Sequence, residues 1–205
     1  MIVSTVWWYL SRSTGLVAAV LIIAAFIWGV LLSTQLVKPV KKPAWLLDLH
    51  RWLGTLAVVF VVLHLVALLA DSYVEFDITD ILVPFASEWK PAAVAWGVVG
   101  LYLLVIIQLS SWQPIRSRIS RRVWHAVHLI SFPLVWVVIM HSGAAGTDVT
   151  SRYYTLGVLA LVTISVFVVL YRILAGTGRK SRGDRRRERV SVASGDESSK
   201  SRDPV

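Results

Sequence analysis

The chain has 205 residues, of which 56% are hydrophobic and 16% charged, and its mean hydropathy of +0.67 argues against a water-soluble fold. It contains no cysteine, which excludes disulfides, thiolate zinc sites, cysteine-ligated iron–sulfur clusters and thioether-attached c-type haem. The net charge of +9 divides into 12 Lys/Arg against 7 Asp/Glu in residues 1–175 and 9 against 5 in residues 176–205. The excess falls in short connections and in the tail, which is how a membrane protein encodes its orientation, so nucleic acid is not the expected partner.

In chain order, Met1–Leu10 has no basic n-region and the apolar stretch behind it is too long for the core of a cleaved signal peptide. It is read as structure. Five segments then have the roughly 20 apolar residues that a spanning helix needs: 14–37, 44–70, 91–112, 123–142 and 154–175. Pro39 and Pro43 bracket the first turn, Pro91 and Pro114 flank the third segment, and Trp7, Trp8, Trp45, Trp89, Trp112 and Trp124 lie near span ends as an aromatic belt does. Lys38, Lys41 and Lys42 in the first connection, and Arg116, Arg118, Arg121 and Arg122 in the third, mark the cytoplasmic face together with the tail. The connection 71–90, with Asp71, Glu75, Asp77, Asp80 and Glu88 against a single Lys90, faces outward. So do 143–153 and the N-terminus. Ile81, Leu82, Val83 and Phe85 suggest that part of 71–90 lies on the membrane surface as a lid. The expectation is an all-α polytopic bundle of about five helices over residues 1–175. Residues 176–205 form a basic, disordered cytoplasmic tail whose cluster Arg179 to Arg189 contacts lipid headgroups.

Ionisable residues inside spans are costly enough to point to function. All five histidines are in spans: His50 and His64 on the second, and His125, His128 and His141 on the fourth. At 1.5 Å per residue, the 14- and 13-residue separations of His50 from His64 and of His128 from His141 amount to roughly 21 Å and 20 Å. Both helices run outward from the cytoplasm, so His50 meets His128 near the inner surface and His64 meets His141 near the outer one. A tetrahedral zinc site wants four ligands in one place and a proton relay wants closely spaced acids, and neither fits. Two imidazoles at one depth can instead fill both axial positions of a haem iron, and two such layers form a wire across the bilayer. The competing readings are histidines that only bond between helices in a cofactor-free scaffold, and a metal or proton transporter. Gly54, one turn beyond His50, leaves room for a flat macrocycle or for close helix packing. In a straight helix a spacing of 13 turns His141 about 140° from His128, and Pro133 between them is positioned to kink or rewind it.

The pattern His50-Arg51-Trp52-Leu53-Gly54 followed by His64, Arg12-x-Thr14-Gly15 leading into the first span, and Trp124-x-x-x-His128 followed by His141 resembles the ferric-reductase-like transmembrane domain. That family includes the membrane halves of NADPH oxidases and ferric reductases and the haem subunit of bacterial periplasmic methionine-sulfoxide reductase systems. The resemblance covers roughly residues 10–175. It implies that His50 and His128 hold an inner b-type haem and His64 and His141 an outer one, while His125 matches no family ligand. The oxidases carry six spans and a cytoplasmic flavin and nicotinamide domain. Here 30 residues follow the last segment and no Gly-x-Gly-x-x-Gly follows a strand. The methionine-sulfoxide subunits usually have Arg where this chain has His50.

The expected protein is thus a plasma-membrane cytochrome of b type with two haems, an oxidoreductase component without its own flavin or NAD(P) domain. A quinol or a cytoplasmic flavoreductase is the expected donor, and an extracytoplasmic redox protein, ferric iron or oxygen the acceptor. Arg51 at the inner haem and Arg12 at the outer one are the expected propionate partners, unless they merely snorkel to lipid headgroups.

Overall fold

The computed structural model describes residues 2–34, 44–72, 74–146, 151–152 and 155–171. The lysine-rich turn after the first span and the tail 176–205 lie outside the described residues. All regular structure among the described residues is helical: α1 (Ile2–Thr34), α2 (Ala44–Ala70), α3 (Ile78–Leu82), α4 (Pro91–Ser111), α5 (Gln113–Arg116), α6 (Arg121–His128), α7 (Ser131–Ala145) and α8 (Thr155–Tyr171). The chain divides into two compact units, Met1–Thr163 and Ile164–Val205; of the second, Ile164–Tyr171 is described and continues α8. Among the described residues four stretches are long and apolar enough to cross a bilayer, namely Val6–Ser33, Ala44–Ala70, Pro91–Ser111 and Arg121–Ala145. The protein is therefore an all-helical, multi-pass membrane protein. The expected fifth span is helical over Thr155–Tyr171, which at 1.5 Å per residue is about 26 Å, short of the ~30 Å hydrocarbon core; its expected end at 172–175 lies outside the described residues.

The first helix starts well before the expected residue 14, and the reason is local. Ser11, Ser13 and Thr14 look like a polar interruption, but their hydroxyls donate to carbonyls three or four residues back: Ser11 to Trp8 (2.9 Å), Ser13 to Leu10 (3.1 Å) and Thr14 to Leu10 (2.6 Å). Hydroxyls satisfied by their own helix do not end it. The fourth span, by contrast, is interrupted. Pro133 has no N–H to give the Leu129 carbonyl, and the chain passes Leu129 and Ile130 in tight turns, with Ile130 N–H bonded to Val127 O and Phe132 N–H to Leu129 O, both at 3.0 Å. Tighter winding turns His141 back toward the side of His128, as the 13-residue spacing requires.

The helices pack as two antiparallel hairpins, α1 on α2 and α4 on α6 and α7, joined where α1 meets α7. Phe26 and Phe132 form part of that junction, edge to face at 5.0 Å. Small residues line the buried stripes: Ala18 and Ala19 on α1, Ala57 and Ala67 on α2, Ala93, Ala95 and Gly100 on α4. In lipid, where apolar surface gains nothing by leaving the solvent, close approach of small residues supplies the contact energy. The large side chains of α2, including Trp52, Val59, Val62 and Val66, are exposed and face the acyl chains. Two polar ties reinforce the packing: Trp28 Nε1–H donates to Leu46 O (2.8 Å), and Gln108 Nε2–H donates to Gly54 O (2.8 Å). The Gln108 bond reaches from α4 to α2. Its loss in Gln108→Leu is expected to cost about 0.5–1.5 kcal/mol, read as a lower midpoint of thermal unfolding in detergent, with Gln108→Asn giving the same or less.

Candidate functional site

The four expected ligands come together in two pairs, of which His64 and His141 line a cavity. His50 on α2 and His128 at the end of α6 have ring centroids 6.0 Å apart; His64 on α2 and His141 on α7 have centroids 6.4 Å apart. The 14 residues between His50 and His64 put the two layers about 21 Å apart along α2. α2 packs mainly on α1, and α6 and α7 on α4, so the paired rings reach across from helices that are not the closest neighbours in the bundle.

Three of the four rings are held in one repeated way. His64 Nδ1–H donates to Ser11 O (2.6 Å), His50 Nδ1–H to Ala25 O (3.1 Å) and His141 Nδ1–H to Ala93 O (2.8 Å). A carbonyl can only accept, so Nδ1 carries the proton in each and Nε2 keeps its lone pair. In each case the residue four positions beyond the accepting carbonyl is a glycine. A Cβ on Gly15 would lie 2.9 Å from the His64 ring, one on Gly29 3.0 Å from His50, and one on Gly97 2.7 Å from His141. The imidazole thus lies over a glycine and reaches the carbonyl one helical turn earlier. The signature Arg12-x-Thr14-Gly15 acquires a physical meaning here: Gly15 makes the space, and buried Thr14 sits beside the Ser11 carbonyl, to which its hydroxyl also donates (3.2 Å).

His128 is different. Its Nδ1 is buried and bonds nothing among the described residues. Its ring instead stacks on Trp124, with centroids 4.8 Å apart and planes 22° from parallel, and the Arg116 guanidinium lies 4.8 Å over the other ring of that stack, the indole. His125 is exposed, and its Nδ1–H donates to Arg121 O of its own helix (2.8 Å). It takes part in neither pair.

The layer of His64 and His141 opens on a cavity of about 470 Å³. Gly15 and Gly97 lie on its wall, Arg12 beside them with its guanidinium 5.5 Å from the Trp8 ring, and the connection 71–90 supplies Phe76, Ile81 and Trp89. Phe76 meets Trp89 edge to face at 6.0 Å, and Ile81 is carried inward on α3, whose first turn is closed by Asp77 N–H donating to the Asp80 carboxylate (2.9 Å). Of the four apolar residues expected to form a lid, Ile81 lines the cavity, while Leu82, Val83 and Phe85 are exposed. Arg51 has a different setting: it is exposed and paired with Asp48 at 3.2 Å.

These residues fit a metal held by two imidazoles. A ring nitrogen binds a metal ion at about 2.0 Å, which puts each centroid about 3.1 Å from the ion and two opposed rings about 6.3 Å apart. The observed 6.0 and 6.4 Å agree with that spacing. Among the described residues there is no group of three or more His, Cys, Asp or Glu placed to hold a metal ion. The glycines, absent from sequence reasoning apart from Gly15, had a findable signal: Gly15 and Gly29 are separated by the same 14 residues as His50 and His64.

Replacing these glycines with alanine is expected to force the facing ring from its place at a cost of about 1–3 kcal/mol. Gly97→Ala, with the closest approach, should be worst, while Gly143→Ala, which meets nothing within 4 Å, stays within about 0.5 kcal/mol of the parent. Thermal unfolding of each variant in detergent measures the difference. Comparison with protein families gives a match over residues 14–140, more than half of the chain, to the family described as ferric reductase like transmembrane component. The matched stretch contains His50, His64 and His128 and stops one residue before His141. Neither the curated proteins nor the solved structures give a match. Members of the family are transmembrane electron-transfer modules and generally bind haem. With the match running through all four crossing helices, the chain belongs to the ferric reductase like transmembrane component family.

Proposed function

We propose that this protein carries electrons across the plasma membrane through two non-covalent b haems, one between His50 and His128 and one between His64 and His141, as the membrane subunit of a reductase system. The observation that supports this above all others is the pair of imidazole layers at iron-bridging separation, on helices that are not the closest neighbours in the bundle. Haem iron supplies one-electron chemistry when bound. The chain's own residues do the rest. Nδ1–H bonds to helix carbonyls hold the ring tautomer that leaves Nε2 free to ligate. Apolar walls from Phe76, Ile81 and Trp89 keep water from the cavity side. Arg12 on the cavity wall is the better placed of the two arginines to meet a propionate, since Arg51 is engaged with Asp48 at the surface.

The Lys/Arg distribution supports a topology with the connection 71–90 outside and the tail in the cytoplasm. Electrons then enter at the His50 and His128 layer from a quinol or a cytoplasmic flavoreductase. They leave at the His64 and His141 layer to an extracytoplasmic redox protein, ferric iron or oxygen.

A pyridine haemochrome assay on purified protein reconstituted with excess haem is expected to count two haems per chain. His64→Ala and His141→Ala should each lose one and the same haem, and His50→Ala and His128→Ala the other, while His125→Ala keeps both because its ring faces outward. A well-folded chain with no Soret band returns the protein to a scaffold role. Reporters fused within 71–90 and after Gly176 are expected to be active on the outer and the cytoplasmic side respectively; the opposite result exchanges the donor and acceptor layers.

A further inference from the structure

Three imidazoles are fixed by a hydrogen bond from Nδ1 to a carbonyl of a neighbouring helix, and the fourth is not. On α4, the helix that packs against α6, the glycines are Gly97 and Gly100. Toward its far end the buried inward residue is Ser110, whose hydroxyl is turned to its own helix at Ile107 O (2.8 Å). There is no glycine there for His128 to lie over. What orients its ring is Trp124, one turn earlier on the same helix, stacked at 4.8 Å. The indole is itself covered by Arg116 at 4.8 Å, a cation on an aromatic face.

The geometry points to Trp124 as the positioning residue for His128, its stacked ring standing in for the carbonyl bond that fixes the other three imidazoles, and to the layer of His50 and His128 as the more easily reduced of the two. This inference rests on the two-haem reading. A hydrogen bond from Nδ1–H to a carbonyl makes an imidazole a more basic ligand and favours ferric iron. The layer of His64 and His141 has two such bonds, and the layer of His50 and His128 has one. The Arg116 charge, two rings removed from the iron position, acts in the same direction by disfavouring the additional positive charge of the ferric state. Both effects raise the potential on the same side.

The test uses full-length, haem-loaded protein in detergent, with low-spin ferric EPR and a redox titration as readouts. His141→Ala leaves the layer of His50 and His128 to be read alone, and His50→Ala leaves the other. Trp124→Phe keeps a stacking ring and is expected to preserve the EPR signal in the His141→Ala background. Trp124→Leu removes the stack and is expected to shift and broaden that signal and to weaken haem retention on the order of 10-fold, with no change in the His50→Ala background. An unmoved signal in Trp124→Leu, or equal damage from Phe and Leu, overturns the positioning role. A signal displaced equally in both backgrounds does so too, since it marks general disruption. In the parent pair of single-layer proteins, the haem retained in His141→Ala is expected to titrate at the higher potential, and the reverse order overturns the second half of the inference. A parent protein that binds fewer than two haems defeats the two-haem reading instead, so the two failures are separable.

Discussion

A histidine inside a membrane must find an internal acceptor for its second ring nitrogen, because no water is present to supply one. Here the acceptors are carbonyls already engaged in a neighbouring helix, at Ser11, Ala25 and Ala93. Such a carbonyl is covered by the side chain one turn further on unless that residue has none. Gly15, Gly29 and Gly97 are the uncovered places, where a methyl group would collide with the ring at Gly15 and Gly97 and press tightly on it at Gly29. The imidazole, the carbonyl and the glycine therefore form one unit, and the rest of the bundle is arranged to bring these units into register. Glycines 14 apart on α1 meet histidines 14 apart on α2 because 14 residues return nearly to the same face of a helix.

That register has a structural consequence. α1 lies close against α2, and α4 against α7, because each pair is tightened by a ring seated over a glycine. The histidine-bearing sides of α2 and of α6 and α7 are turned toward one another without closing. The packing that a membrane bundle gains from small residues is thus concentrated within the two hairpins rather than between them. The connection 71–90 adds apolar side chains to the cavity of His64 and His141 while its carboxylates stay largely at the surface, which reconciles its acidic composition with a wall of Phe76, Ile81 and Trp89.

The histidine pairs were legible in the sequence because depth along a helix is fixed by residue count and consecutive spans run in opposite directions. The carbonyl acceptors were not, since backbone groups leave no mark on composition. Gly29 and Gly97 were hidden for a related reason: glycine is common in membrane spans, and only its spacing relative to the histidines distinguishes a cradle from ordinary packing. Gly54, which drew attention for its place one turn beyond His50, serves a different purpose, its carbonyl accepting from Gln108. The early start of α1 was obscured because a run of Ser11, Arg12, Ser13 and Thr14 reads as polar, although the hydroxyls are consumed within the helix. The doubtful spacing of 13 was resolved where Pro133 suggested, by tight turns at Leu129 and Ile130.

The same break sets His128 and His141 on separate helices, α6 and α7. A straight span would turn them about 140° apart, so the two rings would not both lie against α4. The interruption directly after His128 ends α6 there, so this ring belongs to a helix of eight residues that starts at a Ser120 cap, with Val123 N–H donating to the Ser120 hydroxyl (3.3 Å). His50, His64 and His141 depend for their orientation on a second helix; His128 depends on Trp124 of its own. Arg116, Trp124 and His128 then form a continuous stack from the basic connection inward. The three carbonyl-bonded rings are thus tied to α1 and α4, whereas His128 is tied through Trp124 to the connection that carries Arg116.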